Sequence, residues 1–175
     1  MRSLHRNLSI LSHALHRIVV PESLRHPGPR GLSKQQYELM HYIRNHPATH
    51  PGKLAKAFAI SAPTVSTMLQ RLEQKGYIEK IPHPDDQRAV NINITPSGAA
   101  RLEAVEEERH ALIERLLEPL TQHELDTLGE GVAALMRAIA TTQDRNLICV
   151  HCDNVRSTRC LVVQGLTCAH VTESL

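Results

Sequence analysis

Aromatic side chains are scarce in this sequence of 175 residues, which contains three Tyr, one Phe and no Trp. Proteins that stack single-stranded nucleic acid on aromatic faces are therefore disfavoured. Long apolar runs are also absent, since no stretch approaches the roughly 18 residues of a membrane span. Arginines and histidines interrupt the N-terminal segment, where a signal peptide would need an apolar region. We expect a cytoplasmic protein that makes no membrane contact.

Net charge is low as well, because 20 Lys and Arg residues face 18 Asp and Glu residues and leave a formal charge of +2. Such a chain is not a general polyanion binder, so any affinity for DNA has to come from a local patch. The sequence also lacks paired carboxylates, a nucleophile with a matching base and a Gly-rich phosphate loop. We therefore expect no enzymatic activity.

Cysteine is absent from the first 148 residues, and all four cysteines follow in a tail, residues 143–175. The candidate metal ligands are Cys149, Cys152, Cys160 and Cys168. Four thiolates suit either tetrahedral zinc or an iron–sulfur cluster. A reversible disulfide switch is the third interpretation, since disulfides in the cytoplasm are mostly transient and sensing. The spacing leaves these alternatives, and the absence of any role, open.

Three helical segments with apolar seams flank the centre of the chain. The first lies in residues 1–32, and the other two lie in residues 96–142, where Thr121 and Glu124 form a capping box. The seams carry more apolar surface than one chain of this size readily covers, which predicts a helical homodimer interface. Packing of the seams within one chain is the alternative. The apolar positions include Leu4, Leu8, Leu11, Leu15, Ile18, Leu112, Leu116, Leu128, Val132, Leu135 and Ile139.

Residues 33–95 are predicted to form a winged helix-turn-helix, which makes the fold mainly α with a small β component. Ser33 and Gln36 cap one helix, a short helix follows over 49–60, and Ser61 caps a third helix that stops at Gly76. Residues 77–81 predict a short strand, and residues 90–95 alternate between apolar and polar side chains, as a half-buried strand does. The two strands indicate a hairpin, or wing, whose polar tip lies between them. The proline- and glycine-rich residues 21–31 predict a loop.

The helix after Ser61 has an apolar face and a polar face. The polar face carries hydroxyl, amide and guanidinium groups, which suit phosphate oxygens and base edges in the major groove of double-stranded DNA. Singly, each of these residues is typical of a solvated helix face, but together with the hairpin they indicate DNA reading. The candidate contacts are Ser61, Pro63, Thr64, Ser66, Thr67, Gln70 and Arg71.

The stretch from Leu32 to Leu102 resembles the winged-helix core of the MarR family of bacterial transcriptional regulators. The resemblance rests on residues 61–66 and 72–78, on Asp86-Gln87-Arg88, and on the strand end Ile94-Thr95-Pro96-Ser97-Gly98. The last two segments match the family patterns Asp-x-Arg and Leu-Thr-x-x-Gly, with Ile in place of Leu. The resemblance implies that Arg88 enters a DNA minor groove and that Asp86 supports the wing. It also implies dimerisation through the first and the last two helices.

The sequence therefore predicts a dimeric, sequence-specific regulator, most simply a repressor, that binds a palindromic operator with two recognition helices. The cysteine tail would sense metal or redox state, and a small-molecule effector between wing and dimer helices is a further input to consider. The alternatives are a regulator with a purely thiol-based switch, or a redox or metal-handling protein whose winged helix contacts proteins. His41 and His110 are interpreted as ordinary surface or cleft residues rather than metal ligands.

Overall fold

The computed structural model describes residues 2–82 and 90–142. The elements of this part of the chain are α1 (Arg2–Ile18), α2 (Glu22–Arg25), α3 (Lys34–Asn45), α4 (Pro51–Ala57), α5 (Ala62–Gln74), β1 (Ile78–Pro82), β2 (Val90–Ile94), α6 (Pro96–Leu117) and α7 (Gln122–Thr142). The predicted fold class, mainly α with a winged helix-turn-helix core, is confirmed. Crossing a membrane would require a longer or more apolar helix than any in these two ranges.

The hydrophobic core lies where α3, α4 and α5 pack against the hairpin and the first half of α6. Fully buried aliphatic side chains contribute about 1.5–3 kcal/mol each, so this core holds the winged unit and the start of α6 together. Its most buried members are Leu32, Leu39, Met40, Ile43, Leu54, Val65, Leu69, Leu72, Ile92, Leu102 and Val105.

The hairpin is antiparallel, with Ile78 opposite Ile94 and Pro82 opposite Val90. A further bridge joins it to the segment before α4, since the Ile92 N–H donates to the Thr49 carbonyl oxygen at 2.8 Å. The helix predicted over residues 49–60 is accordingly shorter, because Thr49 pairs with the sheet and α4 begins only at Pro51. The α3–α4 connection is therefore tied to the root of the wing.

The prediction that residues 21–31 form a loop throughout is wrong, because the four-residue helix α2 lies within them. The Pro21 carbonyl oxygen accepts hydrogen bonds from the N–H groups of Leu24 and Arg25, at 3.0 and 3.2 Å. A proline just before a helix does not interrupt it, since its missing N–H has no partner in the first turn. Burial of Leu24 against the core holds this short turn in place.

The predicted helix caps are confirmed. The Ser33 hydroxyl accepts from the Gln36 N–H, and the Gln36 side chain accepts from the Ser33 N–H, both at 3.2 Å. At the start of α7 the Thr121 N–H and hydroxyl both donate to the Glu124 carboxylate at 2.8 Å. These bonds hold the pKa of the Glu124 carboxyl below its usual value. Gly76, with φ of 74°, follows the end of α5, as predicted for the helix that Ser61 caps.

The apolar seams of α1, α6 and α7, which we call the outer helices, lie on the surface of the single chain. Val132 is 47% exposed and Leu11 is also 47% exposed, where core leucines such as Leu102 are fully buried. A row of exposed apolar side chains along a helix is typical of an interaction site in a folded protein. The exposed positions are Leu4, Leu8, Leu11 and Ile18 in α1, Leu116 in α6, and Leu128, Val132 and Leu135 in α7.

Candidate nucleic-acid interface

Helix α5 presents one face to the core and the other to solvent. Val65, Leu69 and Leu72 are buried, which fixes the rotation of the helix about its own axis. The opposite face carries every candidate contact residue predicted for this helix. All seven of these are exposed: Ser61, Pro63, Thr64, Ser66, Thr67, Gln70 and Arg71.

The first turn of α5 is closed by hydroxyl groups. The Ser61 hydroxyl accepts from the Thr64 N–H at 3.3 Å and lies 2.8 Å from the Thr64 hydroxyl. The Thr67 hydroxyl donates to the Pro63 carbonyl oxygen at 3.0 Å, so its lone pairs remain available as acceptors. Within residues 2–82 and 90–142, the side chains of Ser66 and Gln70 form no hydrogen bond. This face therefore offers two kinds of polar group to a ligand. Some are hydroxyl groups that already form a bond within the helix, and others are side chains that form none with the described residues.

The C-terminal end of α5 is anchored to the loop before α3. The Lys75 ammonium donates to the Gly31 carbonyl oxygen at 2.6 Å and to the Gln36 side-chain oxygen at 3.1 Å. Burial lowers the pKa of Lys75, and the nearby guanidinium groups of Arg71 and Arg101 lower it further. The buried stripe of α5 and the Lys75 anchor together hold its polar face in one orientation.

The wing tip and the cysteine tail fall outside the described residues. The strands bracket the tip at Pro82 and Val90, but Asp86 and Arg88 lie within 83–89, so their roles stay predictions. The four cysteines lie in 143–175, beyond the second described range. Inside the described ranges, no group of three or more His, Cys, Asp or Glu residues is arranged to hold a metal ion.

A charged cluster between α3 and α6 was missed by sequence reasoning. His41 is 2% exposed, and its Nε2 lies 3.7 Å from an oxygen of Glu106. The Arg44 guanidinium donates two hydrogen bonds to the same carboxylate, at 2.7 and 2.9 Å. His110, in contrast, is exposed on α6. Arg44 and Glu106 are 62 residues apart in the sequence, so no local motif could reveal that they pair.

Comparison with known proteins identifies similar regulators. The model of the MarR family matches residues 32–90. The chain is 25% identical over 141 residues to the HTH-type transcriptional repressor MdtR of Bacillus subtilis, covering 81% of this chain and 91% of that protein. It is 33% identical over 101 residues to the multiple antibiotic resistance protein MarR of Salmonella typhimurium, covering 57% of this chain and 70% of that protein.

A solved structure supports the same comparison. A mutant MarR from Escherichia coli complexed with operator DNA has a TM-score of 0.54 and 27% sequence identity to this chain. The match covers 76% of this chain and 93% of that one, so it extends beyond the winged unit into the flanking helices. These relatives are regulators rather than enzymes, in agreement with the expectation from the sequence.

Proposed function

The chain belongs to the MarR family of transcriptional regulators, and on that premise we propose that it is a homodimeric repressor that binds a palindromic operator. The observation that carries the proposal is α5, which is capped at one end, anchored at the other and carries hydroxyl, amide and guanidinium groups on its exposed face. A helix of this kind fits the major groove, where base edges differ between all four base pairs. The similarity to a repressor and to an operator complex supports this assignment.

Dimerisation follows in this proposal from the exposed seams of α1, α6 and α7. A dimer with a two-fold axis would present two α5 helices to successive major grooves, about 34 Å apart. A small-molecule effector bound between the wing and the outer helices would then regulate the protein by changing that spacing. The wing, with Arg88 at its tip, would add a minor-groove contact.

The test is selection of duplexes by the wild-type protein from a random-sequence pool, followed by titration at several salt concentrations. We expect a palindrome with half-sites about one helical turn apart. Arg88→Ala should weaken binding by at least about tenfold and reduce the salt slope by about two, because each subunit of the dimer loses its minor-groove contact.

The matched control is Arg115→Ala, which removes the same charge from an exposed position on α6. This variant should bind the duplex with the affinity and the salt slope of the wild type. Recovery of no preferred duplex would contradict the proposed function and would favour a redox or metal-handling protein. An unchanged Arg88→Ala variant would contradict the role given to the wing.

We further propose that the tail carrying Cys149, Cys152, Cys160 and Cys168 is the sensor, through a bound zinc ion or an iron–sulfur cluster. Four thiolates form a complete ligand set for either. The full chain, purified without oxygen, should contain stoichiometric zinc and no visible absorption, or iron and sulfide with visible charge-transfer bands. The Cys149→Ser, Cys152→Ser variant should lose that content. Absence of both metals would contradict this proposal and leave a thiol switch.

A further inference from the structure

The α3–α6 cluster consists of Arg44, His41 and Glu106, and it lies half-way along α6. Glu106 is 15% exposed at its side chain, and Arg44 is 28% exposed, so the pair is largely screened from solvent. The two hydrogen bonds from Arg44 to Glu106 are parallel, at 2.7 and 2.9 Å. Such a pair fixes the orientation of the carboxylate relative to the guanidinium as well as the distance between them. His41 approaches from the preceding turn of α3 and is itself held by Asn45, whose side-chain nitrogen lies 3.3 Å from its Nδ1.

The position of Glu106 divides α6 into two parts with different surroundings. Before it, Gly98, Leu102 and Val105 are buried in the winged unit. After it, Leu116 is 38% exposed and belongs to the apolar surface assigned to the dimer. Glu106 is thus among the last α6 residues with a described contact to the winged unit before the helix continues to the exposed Leu116.

A small rotation at Glu106 has a large effect further along α6. The helix continues for 11 residues to Leu117, which is about 16 Å at 1.5 Å per residue. A tilt of about 10° at Glu106 would therefore displace that end by roughly 3 Å. In a symmetric dimer both subunits tilt, so the two recognition helices change their separation by more than either displacement alone.

We propose that Glu106 is a positioning residue for operator binding, which fixes the angle at which α6 leaves the winged unit and so sets the spacing of the two α5 helices. The inference rests on the proposed function, since it concerns how a dimer fits a palindrome. Glu106 touches no DNA in this account. It acts through Arg44 and His41, which belong to the same packed unit as α5.

The test compares the selected palindrome with a duplex that contains only one half-site. Glu106→Gln keeps the shape of the side chain but removes the charge that binds Arg44. We expect it to bind the palindrome about tenfold more weakly, within the usual range of coupling between sites, and to bind the single half-site like the wild type. Insertion of one base pair at the palindrome centre should lower the affinity of Glu106→Gln for the duplex less than it lowers the affinity of the wild type.

The control is Glu107→Gln, which removes the same charge from an exposed neighbour on α6 and should match the wild type on every duplex. Arg44→Gln should reproduce the loss, and the double variant should lose no more than either single variant, because the two residues act as one pair. If Glu106→Gln folds poorly, Arg44→Lys serves instead, since it retains the charge but not the two parallel bonds.

Equal loss on both duplexes would overturn the inference, because Glu106 would then act through the stability of the winged unit. An unchanged palindrome affinity would also overturn it. Either result leaves the proposed function intact, provided that the wild type selects a palindrome. If the wild type selects none, the proposed function fails and this inference fails with it.

Discussion

Replacement of Gly98 by alanine is expected to lower the free energy of unfolding by about 3 kcal/mol, the upper end of the cost of overpacking a core. A Cβ at this position would overlap the carbonyl oxygen of Tyr77 and lie 2.9 Å from its carbonyl carbon. The obstacle is backbone rather than a flexible side chain, so the start of α6 has to move away from the hairpin. Chemical denaturation followed by circular dichroism measures the loss.

The matched control is Gly129→Ala in α7, where the added Cβ would meet no atom of the described residues within 4 Å beyond the backbone of its own helix. Alanine favours the helix by about 0.5–1 kcal/mol over glycine, so this variant should be slightly more stable than the wild type. The same substitution is thus expected to lower the free energy of unfolding at position 98 and to raise it at position 129. Gly98→Ala with wild-type stability would show that α6 does not rest on Tyr77.

The contacts of Gly98 also account for the Thr-x-x-Gly pattern at the end of the wing. The Thr95 hydroxyl donates to the Gly76 carbonyl oxygen at 2.6 Å and accepts from the Gly98 N–H at 3.0 Å. The Thr95 N–H donates to the Tyr77 carbonyl oxygen at 3.1 Å. One threonine therefore caps α6 and ties it to the end of α5. The glycine is required because the helix starts directly against that junction.

Local features of this fold could be predicted because they are encoded within a few consecutive residues. The capping box of Ser33 and Gln36 and the buried stripe of α5 each depend on spacings of three or four residues, which a sequence displays directly. The exposure of the polar face of α5 follows from the same periodicity. The length of α4 was less predictable, because Thr49 is drawn into the sheet by a distant strand residue, Ile92.

The α3–α6 cluster could not be predicted, since Arg44 and Glu106 are 62 residues apart and each alone resembles an ordinary helix surface residue. His41 illustrates the same limit, because its burial against α6 depends on how two helices pack. The anchoring of Lys75 to the Gly31 carbonyl oxygen is likewise a tertiary contact. No local residue pattern specifies a backbone carbonyl 44 residues away as a partner.

Val132→Glu is expected to convert the proposed dimer into a monomer at micromolar concentration. Val132 lies between Leu128 and Leu135 on the exposed apolar face of α7. An unpaired charge buried in an interface costs about 3–5 kcal/mol, and a two-fold axis introduces it twice, so the dimer dissociation constant should rise at least about a thousandfold. Glutamate is a good helix former, which leaves α7 itself intact. Sedimentation velocity measures the change in mass.

The matched control is Ala134→Glu, which adds the same side chain to an exposed position well away from the apolar face of α7. It should remain dimeric with wild-type affinity for the selected palindrome. The monomeric Val132→Glu variant should keep its affinity for a single half-site but lose at least about a hundredfold on the palindrome, because the second half-site is no longer bound intramolecularly. A dimeric Val132→Glu would place the interface elsewhere. A monomer with wild-type palindrome affinity would show that each subunit binds DNA independently.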